Sequence, residues 1–372
     1  MVKKVLSIMI LTSLILLTGC ANKEISDGSK NEDENNVVKE SEVKESEKNV
    51  DKENVDENKS IISDYITLES DDKYIYDGIN SEYAELENYI DFLSEDRIQV
   101  RTNNGGTETV RVIENKNGQL KIIFKRDNCF YRENFMSKPS NYNEILLKEP
   151  LVKGTSWTLE DGSKRYITGI DIDVNTPKEN YKGLEVTTER VNGEIDIHYY
   201  VKGKGLIKIV RDKNGMNITS VLNDVIKDSR LSQSIEVYYP QVTETDYAIY
   251  KERKALEFST NDITKSKIVE LMKIKSALTG TSLLTEGATI NSLYLNDDGM
   301  LYVDFNEKLV EEMNAGSGYE QVILSSIVNT LGQYYGVEKV YLTINNQPYK
   351  SGHIIKNKGE AFSVDLSKVT KN

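Results

Sequence analysis

The clearest hydrophobic pattern lies near the C-terminus, in residues 288–346. Apolar and polar residues alternate on both sides of Asn296-Asp297-Asp298-Gly299. An Asp-Gly pair between two β-prone runs is a strong hairpin signal, because both residues tolerate positive φ. A 3.6-residue apolar period and a β-branched run follow, which predict an amphipathic helix and a further strand. The predicted elements are strands 289–295, 300–305 and 337–344 and a helix over 319–334.

The pattern upstream of this stretch completes an α+β domain at residues 234–369. Residues 235–240 alternate and stop at Pro240, and residues 247–251 and 254–258 are predicted to form a hairpin. A helix is predicted over 263–278 because Asn261-Asp262 supplies a start signal and an apolar stripe follows. With a closing strand at 361–366, the order is β-β-α-β-β-α-β. It predicts two helices on one face of a small sheet.

Residues 61–224 have the pattern of a mostly antiparallel β domain. Alternating runs recur about every ten residues and are separated by Asn-Gly and Asp-Gly turns, which predicts a sandwich or an open barrel. Apolar residues at helical spacing predict one helix over 81–93. The polar segment 225–233 is interpreted as the linker between the two domains. The predicted strands are 97–101, 107–113, 120–125, 156–159, 165–171, 184–190, 194–201, 206–210 and 218–222.

The N-terminus has the features of an export signal at residues 1–19. Lys3 and Lys4 precede an apolar run at 5–17 that is too short to span a bilayer comfortably. The run ends in Leu17-Thr18-Gly19-Cys20, which resembles the lipobox of bacterial lipoproteins. That resemblance implies that Cys20 carries diacylglycerol, becomes the mature N-terminus and attaches the protein to a membrane. Residues 21–60 have thirteen acidic residues against seven lysines and no aromatic residue, so 20–60 is predicted to be a disordered acidic tether.

Charge and rare residues exclude several functions. The formal net charge of −13 does not suggest a nucleic-acid partner, which would require a basic face. Cys129 is the only cysteine besides Cys20 and is interpreted as a half-buried structural thiol. His198 and His353 are the only histidines and fall in different predicted domains. Because no catalytic triad, metal-ligand spacing or phosphate loop is present, we expect no enzymatic activity, metal or cofactor.

The single tryptophan, Trp157, has two interpretations. With Tyr199 and Tyr200 it would form a stacking platform for a ligand, whereas burial would make it a plug in the β core, and the second is favoured. The chain has 22 tyrosines against 7 phenylalanines. Tyrosine rings suit sugar-stacking surfaces. Binding of cell-wall glycan or a small solute is therefore an alternative function.

The C-terminal residues also carry a family resemblance. The sequence segments that carry it are Tyr238-Tyr239-Pro240, the hairpin around Asp298-Gly299, Gly318-Tyr319-Glu320, Ile327-Val328-Asn329-Thr330-Leu331 and Gly352-His353. Together they resemble the GerMN domain of sporulation and spore-germination proteins over residues 235–369. Two positions depart from the family pattern. Gly332 stands where Thr is usual and is expected to weaken the helix end by about 1 kcal/mol, and Asn345-Asn346 stands where an Asp-Gly turn is common.

The resemblance implies a non-enzymatic, ring-building-like module of the kind found on envelope lipoproteins of endospore formers. We therefore expect protein–protein assembly at the cell or forespore envelope of a Gram-positive spore former, on the outer face of the membrane. Another envelope protein is the expected partner, and peptidoglycan is the alternative. The candidate interaction residues are Asp304, Asn329, Thr330, His353 and Trp157.

Overall fold

The computed structural model describes residues 61–66, 69–213, 215–244 and 246–370. The predicted signal peptide, Cys20 and the acidic tether lie outside these ranges. Short 3-10 helices occur at Ile62–Tyr65 and Glu82–Ala84. The strands of the first part of the described chain are β1 Lys73–Ile79, β2 Leu86–Leu93, β3 Arg97–Asn103, β4 Glu108–Lys116, β5 Gln119–Asp127, β6 Glu144–Lys148, β7 Ser156–Thr158, β8 Lys164–Asn175, β9 Asn180–Glu189, β10 Ile195–Val201, β11 Gly205–Lys213 and β12 Met216–Ile226.

These twelve strands form one antiparallel sheet in the order β6-β5-β4-β3-β2-β1-β12-β11-β10-β9-β8-β7. The sheet is nearly closed, because side chains link its two ends. Trp157 Nε1 and Arg165 Nη1 both donate hydrogen bonds to the carbonyl of Ile145, at 3.0 and 2.7 Å. Arg165 also pairs with Glu144 at 2.8 Å. The open-barrel form of the prediction is therefore confirmed, and Trp157 is a buried part of the barrel core.

The predicted helix over 81–93 is wrong, since most of this segment is strand β2. A register shift between Ile90 and Phe92 interrupts the alternation of side chains along the strand. Residues 89–92 are consequently all buried, so apolar residues occur at helical spacing in a strand that packs on both faces. The Tyr89 hydroxyl donates to the carbonyl of Phe258 at 2.9 Å, on the side of the strand that faces the C-terminal region.

The C-terminal region combines two small sheets and three helices. Strands β13 and β14 form a separate antiparallel ribbon. Strands β16 and β17 pair in parallel, which requires a crossover, and α3 provides it. The elements are β13 Leu231–Val242, β14 Tyr247–Phe258, α1 Thr264–Lys273, β15 Ile290–Leu295, β16 Leu301–Phe305, α2 Lys308–Glu311, α3 Ser317–Tyr335, β17 Lys339–Ile344, β18 Gln347–Pro348 and β19 Phe362–Ser363.

Helix α3 packs against the ribbon on one side and against β16 and β17 on the other. This position explains why most of its residues are buried, as a helix covered from several directions must be apolar around most of its circumference. The ribbon corrects one expectation, because the predicted hairpin at 247–258 is one continuous strand, β14. Four residues separate the end of β12 from the start of β13, the partner of β14. Helix α1 also ends at Lys273, earlier than predicted.

The barrel and the C-terminal region share one hydrophobic core. Val110, Val112 and Phe124 on β4 and β5 belong to the same buried cluster as Ile327 and Leu331 of α3. Successive side chains of a strand point to opposite faces of the sheet. Side chains on one face of β4 and β5 therefore pack in this core, and those on the other face point into the barrel interior.

Arg132 reinforces the joint between the two parts. It lies in the loop after β5, and its guanidinium is fully buried and sits 4.1 and 4.7 Å from the ring centroids of Phe92 and Phe258. It donates to the carbonyl of Asp91 at 2.6 Å and to the Thr264 hydroxyl at 3.2 Å. One side chain of the barrel thus bonds to the start of α1.

Candidate functional site

The outer face of the small C-terminal sheet carries a row of three tyrosines. Tyr294, Tyr302 and Tyr341 occupy neighbouring register positions on β15, β16 and β17. The ring centroids are 5.6 Å apart for Tyr294 and Tyr302, and 5.0 Å apart for Tyr302 and Tyr341. Because side chains alternate along a strand, Leu301 and Val303 point into the core while Tyr302 points outward. All three rings are partly exposed, and we call them the tyrosine row.

Polar contacts at the edge of the tyrosine row fix the orientation of its rings. The Tyr302 hydroxyl donates to the carboxylate of Asp298 at 2.9 Å. That hydrogen bond raises the pKa of Tyr302, so the phenol remains a donor at neutral pH. The Tyr341 hydroxyl accepts from the Gly359 N–H at 3.3 Å. The ammonium of Lys138, from the barrel side, lies 5.5 Å from the ring centroid of Tyr294.

Asp304 lies beside the tyrosine row but is only 3% exposed. Its carboxylate accepts hydrogen bonds from the Thr343 hydroxyl and the Asn346 N–H, both at 2.6 Å, and from Asn291 Nδ2 at 2.8 Å. Asn345 and Asn346 have φ values of 49° and 62°, as a two-residue β17–β18 hairpin turn requires. Asp304 therefore holds the turn that these two asparagines form in place of Asp-Gly.

Asn329 and Thr330 are fully buried on α3 and bond to other elements of the same region. The Asn329 amide donates to the Asp365 carbonyl at 2.7 Å and accepts from the Asp365 N–H at 2.9 Å. The Thr330 hydroxyl accepts from the Tyr238 N–H at 3.0 Å and donates to the Ser326 carbonyl at 2.8 Å. These bonds attach the C-terminal segment and the ribbon to α3.

The structure does not bring the five predicted interaction residues together. His353 is exposed and lines a surface depression of about 400 Å³ with Glu320 and Tyr349. Trp157 lies in the barrel, 7% exposed. The sequence pattern did not reveal the tyrosine row. The available signal was one tyrosine at the same phase in each of three predicted strands.

Other reactive groups have environments that suit structural roles. Cys129 is fully buried, and burial raises the pKa of its thiol to about 11. It is thus more deeply buried than the sequence suggested. Within the described ranges, no three His, Cys, Asp or Glu side chains gather as the ligands of a metal ion would. In the same ranges, no helix has the length and apolar character needed to cross a bilayer.

The α+β arrangement of ribbon, small sheet and buried crossover helix defines the class of this region. Residues 236–350 match the family model named Germane, described as sporulation and spore germination. The C-terminal region of the chain is thus a GerMN-type domain. A search of curated proteins finds no match to the chain.

Two solved structures with similarity to the chain come from Bacillus subtilis. The tandem GerMN domains of the sporulation protein GerM are 25% identical with a TM-score of 0.29, and the match covers 38% of this chain and 48% of that one. The first GerMN domain of GerM is 24% identical with a TM-score of 0.25, covering 33% of this chain and 93% of that one. The chain therefore spans about half of the tandem structure.

Proposed function

We propose that this protein is a membrane-anchored, non-enzymatic envelope lipoprotein that acts in protein–protein assembly at the cell or forespore envelope of a Gram-positive spore former. The observation that carries this proposal is the tyrosine row on the outer sheet face of a GerMN-type domain. Its partner is another envelope protein that covers this face.

The tyrosine row has the properties of an interface centre. Tyrosine offers a large, amphipathic contact area and loses little conformational entropy on binding, and it is enriched among residues that dominate binding energies. Here the rings of Tyr294 and Tyr302 are already stacked, and Tyr302 is held by Asp298, so fewer side chains must be ordered when a partner binds. Asp298 and Lys138 would provide a polar rim around the apolar rings.

The non-enzymatic part of the proposal is supported by the structural hydrogen bonds that the polar residues of the domain form. Asp304, Asn329 and Thr330 are buried, and their side chains bond to neighbouring elements. The anchor is supported by the sequence Leu17-Thr18-Gly19-Cys20, through which diacylglycerol on Cys20 would hold the protein at the outer face of the membrane.

A row of partly exposed tyrosine rings also favours a second candidate, the binding of cell-wall glycan. Sugars stack on aromatic rings, and rings about 5 to 6 Å apart present a broad platform. Co-sedimentation of the full-length protein with purified peptidoglycan separates the two functions. Glycan binding predicts pelleting that Tyr302→Ala reduces, whereas assembly with a protein predicts no pelleting.

The test of assembly compares two tyrosines of the same domain. Tagged full-length protein is cross-linked in sporulating cells, and the partner that the wild type recovers is quantified for each variant. Tyr302→Ala should lower recovery by about tenfold or more. Tyr302→Phe should retain most of it, because the rings supply the contact. Tyr247→Ala is the matched control, since Tyr247 is 37% exposed and stacks on Tyr319 at 5.7 Å, outside the tyrosine row.

Thermal melts of each variant exclude unfolding as the cause of a loss. If Tyr302→Ala and Tyr247→Ala recover as much partner as the wild type, the tyrosine row is not the interface. If no partner is recovered and deletion of the gene leaves spore formation normal, the assembly function itself is wrong.

A further inference from the structure

The barrel encloses a cavity of about 410 Å³ that the proposed assembly function does not use. One wall comes from β2–β5 and the other from β10 and β11. Its residues point away from the core that the barrel shares with the GerMN-type domain, because alternate residues of β4 face opposite sides of the sheet. The volume is within the range of small-molecule sites.

One end of the cavity carries a surplus of positive charge. Four cationic side chains and two carboxylates line it, and a fifth cation, Lys204, lies at the opposite end, in the turn between β10 and β11, although the whole chain has a net charge of −13. Both carboxylates are engaged, since Asp196 pairs with Arg190 at 2.6 Å and Glu144 with Arg165 at 2.8 Å. Within the part of the chain that the structure describes, Arg111 and Arg211 form no ion pair.

Arg111 and Arg211 come from opposite walls and are close enough to repel each other. Burial lowers the pKa of Arg111, the carboxylates of Asp127 and Glu144 oppose that shift, and the charge of Arg211 adds to it. Arg111 donates one hydrogen bond, to the Thr102 hydroxyl at 3.2 Å. Arg211 remains exposed, so this end of the cavity is open to water. Both guanidinium groups line this end of the cavity, and since neither belongs to an ion pair among the described residues, both can bind an anion there.

The walls at the other end of the cavity are mainly apolar, with the exposed Lys204 in the turn beyond them. Ile113 lies two residues after Arg111 on β4. It is in register with Ile98 on β3 and with Ile122 on β5. On the opposite wall, Tyr200 pairs with Leu206. The two walls meet here, because Ile113 and Leu206 pack against the same buried cluster. Polarity thus changes along the cavity, from paired cations to an aliphatic lining.

A buried hydroxyl at the apolar end also lacks a partner. Tyr200 lines the cavity and is 3% exposed, and among the described residues nothing forms a hydrogen bond with its hydroxyl. Buried hydroxyls in folded proteins are normally satisfied, and an exception often marks a position that another molecule occupies. Nearby, His198 is kept neutral, because burial and the charges of Arg165 and Arg211 lower its pKa to about 3.

We propose that the barrel binds an anionic amphiphile, with its carboxylate or phosphate head group between Arg111 and Arg211 and its aliphatic chain along Ile113 and Leu206. The head group forms charge-assisted hydrogen bonds with the two guanidinium groups. The chain buries apolar surface in the inner end of the barrel. Charge at one end and apolar lining at the other select a ligand that has both features.

The test uses the full-length protein in phosphatidylcholine vesicles, with Trp157 as the reporter. Trp157 is the only tryptophan and packs in the same cluster as Leu120 and Tyr200, which line the cavity. Decanoate, decyl phosphate, decanol and inorganic phosphate are titrated separately. We expect saturable changes in Trp157 emission with decanoate, decyl phosphate or both. Decanol and inorganic phosphate, which lack one feature each, should bind about tenfold or more weakly.

Variants assign the head-group site. Arg111→Gln and Arg211→Gln should each weaken amphiphile binding by about tenfold, whereas Arg253→Gln, which removes an exposed arginine of β14, should leave it unchanged. A response to decanoate alone identifies a carboxylate ligand, and a response to decyl phosphate alone identifies a phosphate ligand.

Three results would overturn the proposal: no saturable response to either anion, decanol binding as tightly as decanoate, or unchanged binding in both arginine variants. Tyr302→Ala should bind the amphiphile like the wild type, so failure of the assembly function and failure of this site are distinguishable.

Discussion

The hydroxyl of Tyr334, in helix α3, accepts a hydrogen bond at 3.1 Å from the backbone N–H of Arg132, in the loop after β5. It also donates to Gln233 Oε1 at 2.7 Å, at the start of the ribbon. A single buried hydroxyl therefore joins the GerMN-type domain to the barrel. Since all three groups are buried or nearly so, none of these bonds is readily replaced by water.

Tyr334→Phe removes this junction with little change in shape. The substitution leaves the backbone N–H of Arg132 and the side-chain Oε1 of Gln233 without their partner, so we expect the free energy of unfolding to fall by about 1–3 kcal/mol. Urea denaturation of purified protein measures the change. Tyr83→Phe is the control, because the Tyr83 side chain is 60% exposed. Equal stability of the two variants would show that the hydroxyl does not hold the joint.

Asp91 is the buried anion beside this junction. It is fully buried and lies 3.1 Å from Arg101 and 3.6 Å from Arg132. Asp91→Asn keeps the shape but leaves the buried guanidinium of Arg132 without its counter-charge, whereas Arg101 keeps its pair with Glu108 at 2.6 Å, so we expect a loss of about 3–5 kcal/mol in urea denaturation. Asp173→Asn breaks an exposed pair with Lys182 and should cost at most about 1 kcal/mol. A loss of similar size in both variants would contradict this account.

Local pattern predicted the elements best where the alternation of a strand or the 3.6-residue period of a helix is uninterrupted. The hairpin around Asp298-Gly299 and helix α3 were found almost to the residue. The segment of β2 was mistaken for a helix because a shift between Ile90 and Phe92 places buried residues on both faces. The sequence pattern predicted a hairpin where the structure has one continuous strand, β14. The alternation of apolar and polar residues does not by itself show whether a long segment continues as one strand or turns back as a hairpin.

The candidate sites were harder to predict than the fold, because they depend on contacts between distant residues. The tyrosine row requires the parallel pairing of Tyr302 with Tyr341, which only the crossover by α3 creates. The cationic end of the cavity requires Arg111 and Arg211 to line the same cavity from opposite walls of the barrel. Neither pairing follows from local spacing in the sequence.

Gly332 shows how a departure from the family pattern is accommodated. The sequence suggested only a weakened helix end, but the position is buried. A Cβ there would overlap Val364 Cγ2 and lie 3.2 Å from the Val337 carbonyl oxygen. The absence of a side chain therefore lets the segment after β19 approach α3.

Gly332→Ala tests this close approach. The alanine would gain about 1 kcal/mol of helix propensity, yet the overlap should outweigh that gain and give a net loss of roughly 1–2 kcal/mol in urea denaturation. Gly352→Ala, at an exposed position with open space, is the control and should change stability by less than about 0.5 kcal/mol. A stabilised Gly332→Ala protein would mean that Val364 moves away at little cost.

Cys20→Ala tests the proposed anchor. Without the thiol no diacylglycerol is attached, and the two acyl chains that would hold the protein at the membrane are lost. We expect the protein to be mislocalised or released, measured by fractionation and by labelling with radioactive palmitate. Cys129→Ala, which removes the buried thiol, should remain membrane-bound and labelled. Unchanged fractionation and labelling of Cys20→Ala would refute the lipoprotein assignment.

His198 should make the barrel sensitive to acid. Its folded pKa of about 3 lies below the ordinary value of 6.5, because burial and then the charges of Arg165, Arg211 and Arg190 oppose protonation. Below pH 6.5 the unfolded chain binds a proton that the folded chain does not, so stability falls as the pH drops from 6.5 towards 3. At pH 5 the loss due to this residue is at most about 2 kcal/mol.

Urea denaturation at pH 7.5 and pH 5.0 separates this loss from the titration of carboxylates, which the wild type and the variants share. His198→Gln should lose less stability than the wild type between these two values, by about 1–2 kcal/mol. His353→Gln, at an exposed position, should lose as much as the wild type. If His198→Gln shows the same acid loss as the other two proteins, the imidazole is protonated in the folded barrel, and the cationic end of the cavity is more accessible to water than its lining implies.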